Sequence, residues 1–499
     1  MSITGPGSIT ALNLMAQNNM YSQLDKLSGE LGTGQAASTY SGLESQAGLA
    51  LQLSAQVAAV DGYSSTASTV GTTLSIAQSA LSGLSGVGTA VQQAITQQGA
   101  FTLDSSGQTT TQESAATYLD QILGLLNTQV RQNYLFSGSA VDQPSTASAD
   151  AILNGTGTQA GLTQIMAQRL EADEGVGDLG RLTIGGTGAD VTVSSDSSPF
   201  GFKLASVNSN LTGATVSGSP PSVSVSLAGN PNSGDTISFG LTLPDGTSQT
   251  ITLQATTSSP PGTGQFTIGA KAADTASNLQ TALTSAVSSL AQTALPAASA
   301  VAAANNFFAD PPQVVDAGSP PDYATATALQ NGTQANTVFW YTGENGSTPA
   351  LQTATAQVGP SLSIAYGMRA NEPAITSLIA NVAVLAATTY SASDPNAQAS
   401  YEALSQQVET NLNGQSGSQS IDDIEANIAN AQTTVKNASA INTQTQSTLQ
   451  DMLQGIEGVN QTQLGEQILT LQNNLSASMS LTARLAQMSL VNYLAPSSG

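Results

Sequence analysis

The 499-residue chain contains no cysteine and no histidine. That excludes Ser-His-Asp and Cys-His catalysis, HExxH zinc sites, thiolate metal sites and disulfide staples. Charge is scarce as well: Lys plus Arg is 9 and Asp plus Glu is 32, for a net charge of −23. Charged residues make up 8% of the chain, against about 25% in an ordinary soluble domain. Nine cations spread over this length make no basic patch, so no nucleic-acid partner is expected. Aromatics are only 4%, with a single Trp, so the core must come from Leu, Ile, Val and Ala, which suits long helices. No stretch reaches the roughly 18 uninterrupted apolar residues of a membrane span. The nearest, IANVAVLAATT (379–389), is broken by Asn381, and no membrane insertion is expected. The first cation is Lys26 and no apolar run follows an early positive charge, so no cleavable secretory signal is expected.

Neutral Ser, Thr, Gln, Asn and Ala stand where Lys and Glu usually do. A thinly charged surface resists self-association poorly, which suits a subunit that packs against copies of itself. The length predicts two to four domains.

Apolar periodicity divides the chain. Met20, Leu24, Leu27 and Leu31 step by four, three and four. A longer stripe runs through Leu53, Val57, Val60, Ala67, Val70, Leu74, Ala77, Leu81, Leu84, Val91 and Ile95, and a third through Leu119, Ile122, Leu126, Val130 and Tyr134. Such spacing predicts helices with one sticky face over 8–136. The far end repeats the pattern. Ile421, Ile424, Ile428, Ala431, Val435 and Ala438 form one stripe; Leu464, Ile468, Leu471, Leu475 and Met479 form another, extended by Leu481, Leu485 and Met488. Segments 372–388 and 401–412 also read as helix. Between about 141 and 370 the period becomes two. Val223, Val225 and Leu227 alternate with Ser; Ile237, Phe239, Leu241 and Leu243 lead into a Pro-Asp-Gly turn before Ile251 and Leu253. Leu182, Ile184, Val191 and Val193 suggest a strand pair, VFWY (338–341) and QTATAQV (352–358) a further hairpin, and Leu279, Leu283, Val287 and Leu290 an interrupting helix.

The fold class expected is α+β and multidomain: long N- and C-terminal helices forming a coiled-coil-like bundle, with a β-rich insertion between them. The expected divisions are 1–45 and 456–499 as inner helical segments, 46–140 and 371–455 as two halves of a helical layer, and 141–370 as the insertion, with sub-boundaries near 206 and 310.

Carboxylates are the acid–base groups left in number. The densest cluster, Glu171, Asp173, Glu174 and Asp178, lacks the alternating ligands of a calcium loop and reads as a solvated acidic loop. Glu344 and Asp322, near Trp340, Tyr341 and Tyr323, are the best case for a two-carboxylate glycosidase, but the turn TGENG accounts for Glu344 without chemistry. Gly-rich 184–188 and 261–265 lack the Lys-Ser/Thr of a phosphate loop and the setting of a dinucleotide site. No catalytic residue, cofactor or metal is expected.

The two ends carry a resemblance. Residues 9–63, with Leu12 and Asn13, LDKLSGEL (24–31) and AGLALQLSAQV (47–57), resemble the N-terminal region of the bacterial flagellin family, including its hook-associated protein 3 (hook–filament junction) members. NYLFSG (133–138) and SLVNYL (489–494) resemble the junction members, and 266–290 with NNFF (305–308) resembles an insertion module of larger flagellins. AASTYSG (36–42) replaces the paired-Asp stretch usual in the family. The resemblance implies a structural subunit of the bacterial flagellum that leaves the cell unfolded, without a cleaved signal, through the flagellar export channel. It implies copies of itself, hook-associated proteins, flagellin and an export chaperone as partners. It implies that Leu12, Met15, Leu24, Leu27 and Leu31 pack with Leu471, Leu475, Leu485, Met488 and Leu490 in an inner tube, and that these stripes pair only on assembly. A junction role and a filament role both remain open at this point, as does an adhesin with a helical stalk.

Overall fold

The computed structural model describes residues 6–97, 99–414 and 417–493, with side chains described for 11–487 of these. The protein is α+β, with ten α-helices and five small sheets among the described residues. In chain order come α1 (Pro6–Thr33), α2 (Ala47–Thr96) and α3 (Thr110–Leu126); the short hairpin β1 (Gln129–Val130) and β2 (Asn133–Tyr134); and helices α4 (Ala149–Asn154) and α5 (Leu162–Glu174). Strands follow: β3 (Leu182–Gly185), β4 (Asp190–Ser195), β5 (Lys203–Ser209), β6 (Ala214–Ser219), β7 (Ser222–Leu227), β8 (Thr236–Thr242), β9 (Ser248–Thr256) and β10 (Gln265–Thr267). Helix α6 (Ala272–Phe307) precedes the small strands β11 (Gln313–Val315), β12 (Leu329–Asn331), β13 (Thr355–Gln357) and β14 (Ser363–Ala365). The chain closes with α7 (Pro373–Ala387), α8 (Ala397–Leu412), α9 (Ile421–Glu457) and α10 (Gln461–Tyr493).

The chain divides into two compact units. One comprises Met1–Gly71, Ala356–Ile364 and Thr433–Gly499; the other comprises Thr72–Thr355 and Ala365–Gln432. The division falls inside α2, at Gly71, and inside α9, at Thr433.

In the larger unit, two four-stranded sheets, β3-β4-β7-β6 and β10-β9-β8-β5, share a core with α6. The alternation in the sequence does what it predicts. Val223, Val225 and Leu227 are buried, their Ser neighbours face outward, and Val191 pairs with Val225 across an antiparallel ladder. Phe239 and Leu241 pack with Leu279, Leu283 and Val287 of α6. The Pro-Asp-Gly turn closes β8 on β9, and the Asp245 carboxylate accepts from the Thr247 N–H at 3.0 Å. Helix α6 is much longer than its Leu/Val spacing alone marks. It is the one described helix long and apolar enough to cross a membrane, and 61% of that window is buried within the protein.

Three expectations are corrected. The third helix stops at Leu126, where Asn127 turns its side chain to accept from the N–H groups of Ser145 (2.8 Å) and Thr146 (3.1 Å). Val130 and Tyr134 therefore lie in β1 and β2. Residues 338–341 form no strand with 352–358. The Val338 N–H donates to the Ala160 carbonyl and the Trp340 carbonyl accepts from Ala147, while 355–357 pairs locally with β14. Residues 171–174 end helix α5 instead of forming a loop, and Asp173 is fully buried.

Candidate functional site

The first and last helices, α1 and α10, lie together in the smaller unit. Helix α1 stops at Gly34, whose φ of +73° suits a glycine helix stop. Just beyond, Gln35 bridges antiparallel to Gly458, the Ala36 N–H donates to the Glu457 carbonyl at 2.7 Å, and the Val459 N–H donates to the Gly34 carbonyl at 3.1 Å. From that clasp α10 runs back along α1. Further out, the Gln17 side-chain amide donates to Thr482 Oγ1 at 3.1 Å and to Ser478 Oγ at 3.4 Å.

Burial shows which face of each helix meets the other. On α1 it is Asn13, Gln17, Met20, Leu24 and Leu27; on α10 it is Leu464, Ile468, Leu471, Leu475, Ser478, Thr482 and Leu485. Both series step by alternating threes and fours, the seam of a two-helix coil. The two end stripes, expected to pair on assembly, meet here within one chain as two complementary heptad seams. The α10 stripe also differs from its expected course. It passes through Ser478 and Thr482, which leaves Met479 and Leu481 exposed.

The seam is only half covered. No described side chain of α1 is buried, and on α10 only Leu464 is. Of the residues assigned to packing, Leu24, Leu27, Leu471, Leu475 and Leu485 are half-buried on the seam. Leu31 sits at its base and is 37% exposed, while Leu12 and Met15 point off it, 62% and 68% exposed. The side chains of Met488 and of all of SLVNYL (489–494), Leu490 among them, lie outside the described residues. Further apolar side chains stand uncovered nearby in the chain: Leu14 on α1, Leu49 and Leu51 on α2, Ile441 and Met452 on α9, and Leu469 on α10. Fully burying one such side chain is worth about 1.5–3 kcal/mol, so this unit holds a large unused drive to associate. Charge does not oppose it. Helices α1 and α10 carry Asp25, Glu30 and Glu466 against Lys26 and Arg484, close to neutral in a chain of net charge −23.

Within the same unit, α2 and α9 approach closely where Gly71 faces Val435, a Cβ on the glycine lying 3.5 Å from the valine methyl. The Gln446 amide donates to Asp61, and the buried Asn442 amide donates to the Val358 carbonyl at 2.9 Å, holding the tip of the β13–β14 hairpin. Stripe-reading overlooks Gln17, Ser478, Thr482 and Asn442 because they are polar residues at apolar positions. A strict 4-3-4 step carried through them would have found them.

The carboxylates of the larger unit are engaged structurally. Arg169 Nε donates to Asp173 at 2.9 Å, the Gly201 N–H donates to the same carboxylate at 2.9 Å, and Arg169 lies over the Phe200 ring. Burial pushes the Asp173 carboxyl up, against the pull of Arg169. Glu344 accepts from the Ser139 N–H at 2.8 Å and pairs with Arg369 at 2.9 Å. The Ser139 hydrogen bonds and the guanidinium hold its carboxyl below the usual range. Asp322 Oδ1 accepts from the Thr325 N–H at 3.3 Å within its own turn. Trp340 is buried, its indole N–H donating to the Phe308 carbonyl at 3.0 Å. Among the described residues no group of three or more acidic side chains is placed to hold a metal ion. No protein-family model matches the chain, and no curated protein matches it at a significant level.

Proposed function

We propose that the chain is a structural subunit of the bacterial flagellum, flagellin-like, that self-assembles at the hook–filament junction outside the cell after export through the flagellar channel. On this reading its architecture is a bundle of long terminal helices with a β-rich insertion, and its activity is polymerisation rather than turnover. The observation that carries the reading is the half-covered pair of α1 and α10. Two chain ends that pair, stay largely solvent-exposed and carry almost no net charge are fitted to pack against further copies. The end-region resemblance supplies the flagellar setting, with hook-associated proteins, flagellin and an export chaperone as the other partners. The double variant Leu27→Asp with Leu475→Asp is expected to abolish incorporation while leaving the β-sheet unit folded. Normal incorporation of that variant would defeat the packing claim.

The size of the sheet-bearing insertion favours a second role, as filament flagellin, whose outer surface would carry it. Immunogold labelling separates the two: a ring near the base for the junction, decoration along the whole length for the filament. A surface adhesin ranks third. It predicts a monomer whose ends resist protease, where the flagellar reading predicts rapid clipping of α1 and α10 before assembly and protection after it.

A further inference from the structure

We infer that Gln17, Ser478 and Thr482 form a polar layer that selects the register in which α1 and α10 pair. The layer lies on the seam itself. Gln17 occupies the heptad position between Asn13 and Met20, and its amide reaches Thr482 Oγ1 at 3.1 Å and Ser478 Oγ at 3.4 Å across the helix pair. Beyond the clasp at Gly34 and Gly458, which any slide would also have to break, the leucines alone do not fix the alignment. Leu464, Ile468, Leu471 and Leu475 repeat with the same spacing, so sliding α1 by one heptad toward the start of α10 would again set Leu24 and Leu27 against apolar residues.

Polar groups make the slides unequal. A heptad is about 10 Å of helix. Slid one way, Gln17 comes level with Leu471 and Leu475 and its amide loses both acceptors. Slid the other way, Leu24 comes level with Ser478 and Thr482. In each case a seam polar group faces a leucine and the cross-helix hydrogen bond goes unmade, so the native register keeps a bond that the slid registers lack. A polar residue at a seam position is the known means by which coiled helices trade some stability for a single register. The inference does not depend on what the assembled protein does.

The absence of cysteine allows a direct test on the full chain. Spin labels are placed on Gln23→Cys and Gln472→Cys, both exposed, and their separation is measured by pulsed electron resonance. The parent chain is expected to give one narrow distance. The variant Gln17→Leu, Ser478→Leu, Thr482→Leu is expected to stay helical, to melt at a higher temperature and to show a second population displaced by up to about 10 Å. The exchanged layer, Gln17→Thr with Thr482→Gln, is expected to restore the single distance. A leucine variant that keeps only the parent distance overturns the inference, as does an exchanged layer that gives two. Should the leucine variant lose its helices, the exchanged layer alone decides.

Discussion

Arg169 and Asp173 make an i,i+4 pair with almost no access to water. Ion pairs of this kind add little net stability, but removing one partner strands the other. Arg169→Met is therefore expected to destabilise the sheet-bearing unit by about 3–5 kcal/mol, and adding Asp173→Leu to recover part of the loss, as read by denaturant unfolding. Glu344 gives the pH prediction. Hydrogen bonds from Ser139, then Arg369, depress its carboxyl in the folded protein, so its contribution is present above the ordinary carboxylate range. That contribution is lost as pH falls through the depressed value. Trp340 fluorescence is expected to shift between about pH 5 and pH 2, and Glu344→Gln to show the acid-form signal already at neutral pH. Neither pairing was legible in the sequence. Arg369 lies far along the chain from Glu344, and Asp173 sits in an acidic string that looks hydrated until Arg169, one helical turn earlier, is placed beside it.

The elements most plainly legible are those whose pattern their packing uses. Helices α2 and α9 bury the stripes their spacing marks, and β7 and β8 bury every second residue as the alternation requires. Strands β5 and β6, KLASVNS and ATVSGS, carry little apolar signal of their own and are placed by pairing with β8 and β7. Helix α7 lies where 372–388 reads as helix, and it buries 11 of its 15 residues, as a helix apolar all round does. At this scale Asn442 is the informative position. Asn442→Ala removes the donor to Val358 and leaves a buried carbonyl unpaired, expected to cost about 1–3 kcal/mol. Hydrogen exchange should quicken across 356–364 while the β7–β9 amides keep their protection. Thr109, whose side chain caps α3 in a reciprocal bond with Gln112, offers a control in the other unit. Thr109→Ala is expected to cost about 1 kcal/mol with no effect on that hairpin.

For the whole molecule, charge and stickiness are segregated. The chain's net charge is −23, yet the paired end helices are almost neutral and carry exposed Leu and Met. Added salt shortens the reach of repulsion between chains without weakening apolar contact. Light scattering is expected to show faster assembly at about 0.5 M than at about 0.02 M salt, where the screening length falls well below its low-salt value. Slower assembly at high salt would mean that ion pairs, not apolar contacts, hold the copies together. The seam between the end helices also changes character along its length: leucine and isoleucine near the clasp at Gly34 and Gly458, amide and hydroxyl groups farther out. A fastener graded in this way comes undone in one direction, so an incoming strand of the same kind would invade at the loose end while the tight end keeps the two arms tethered.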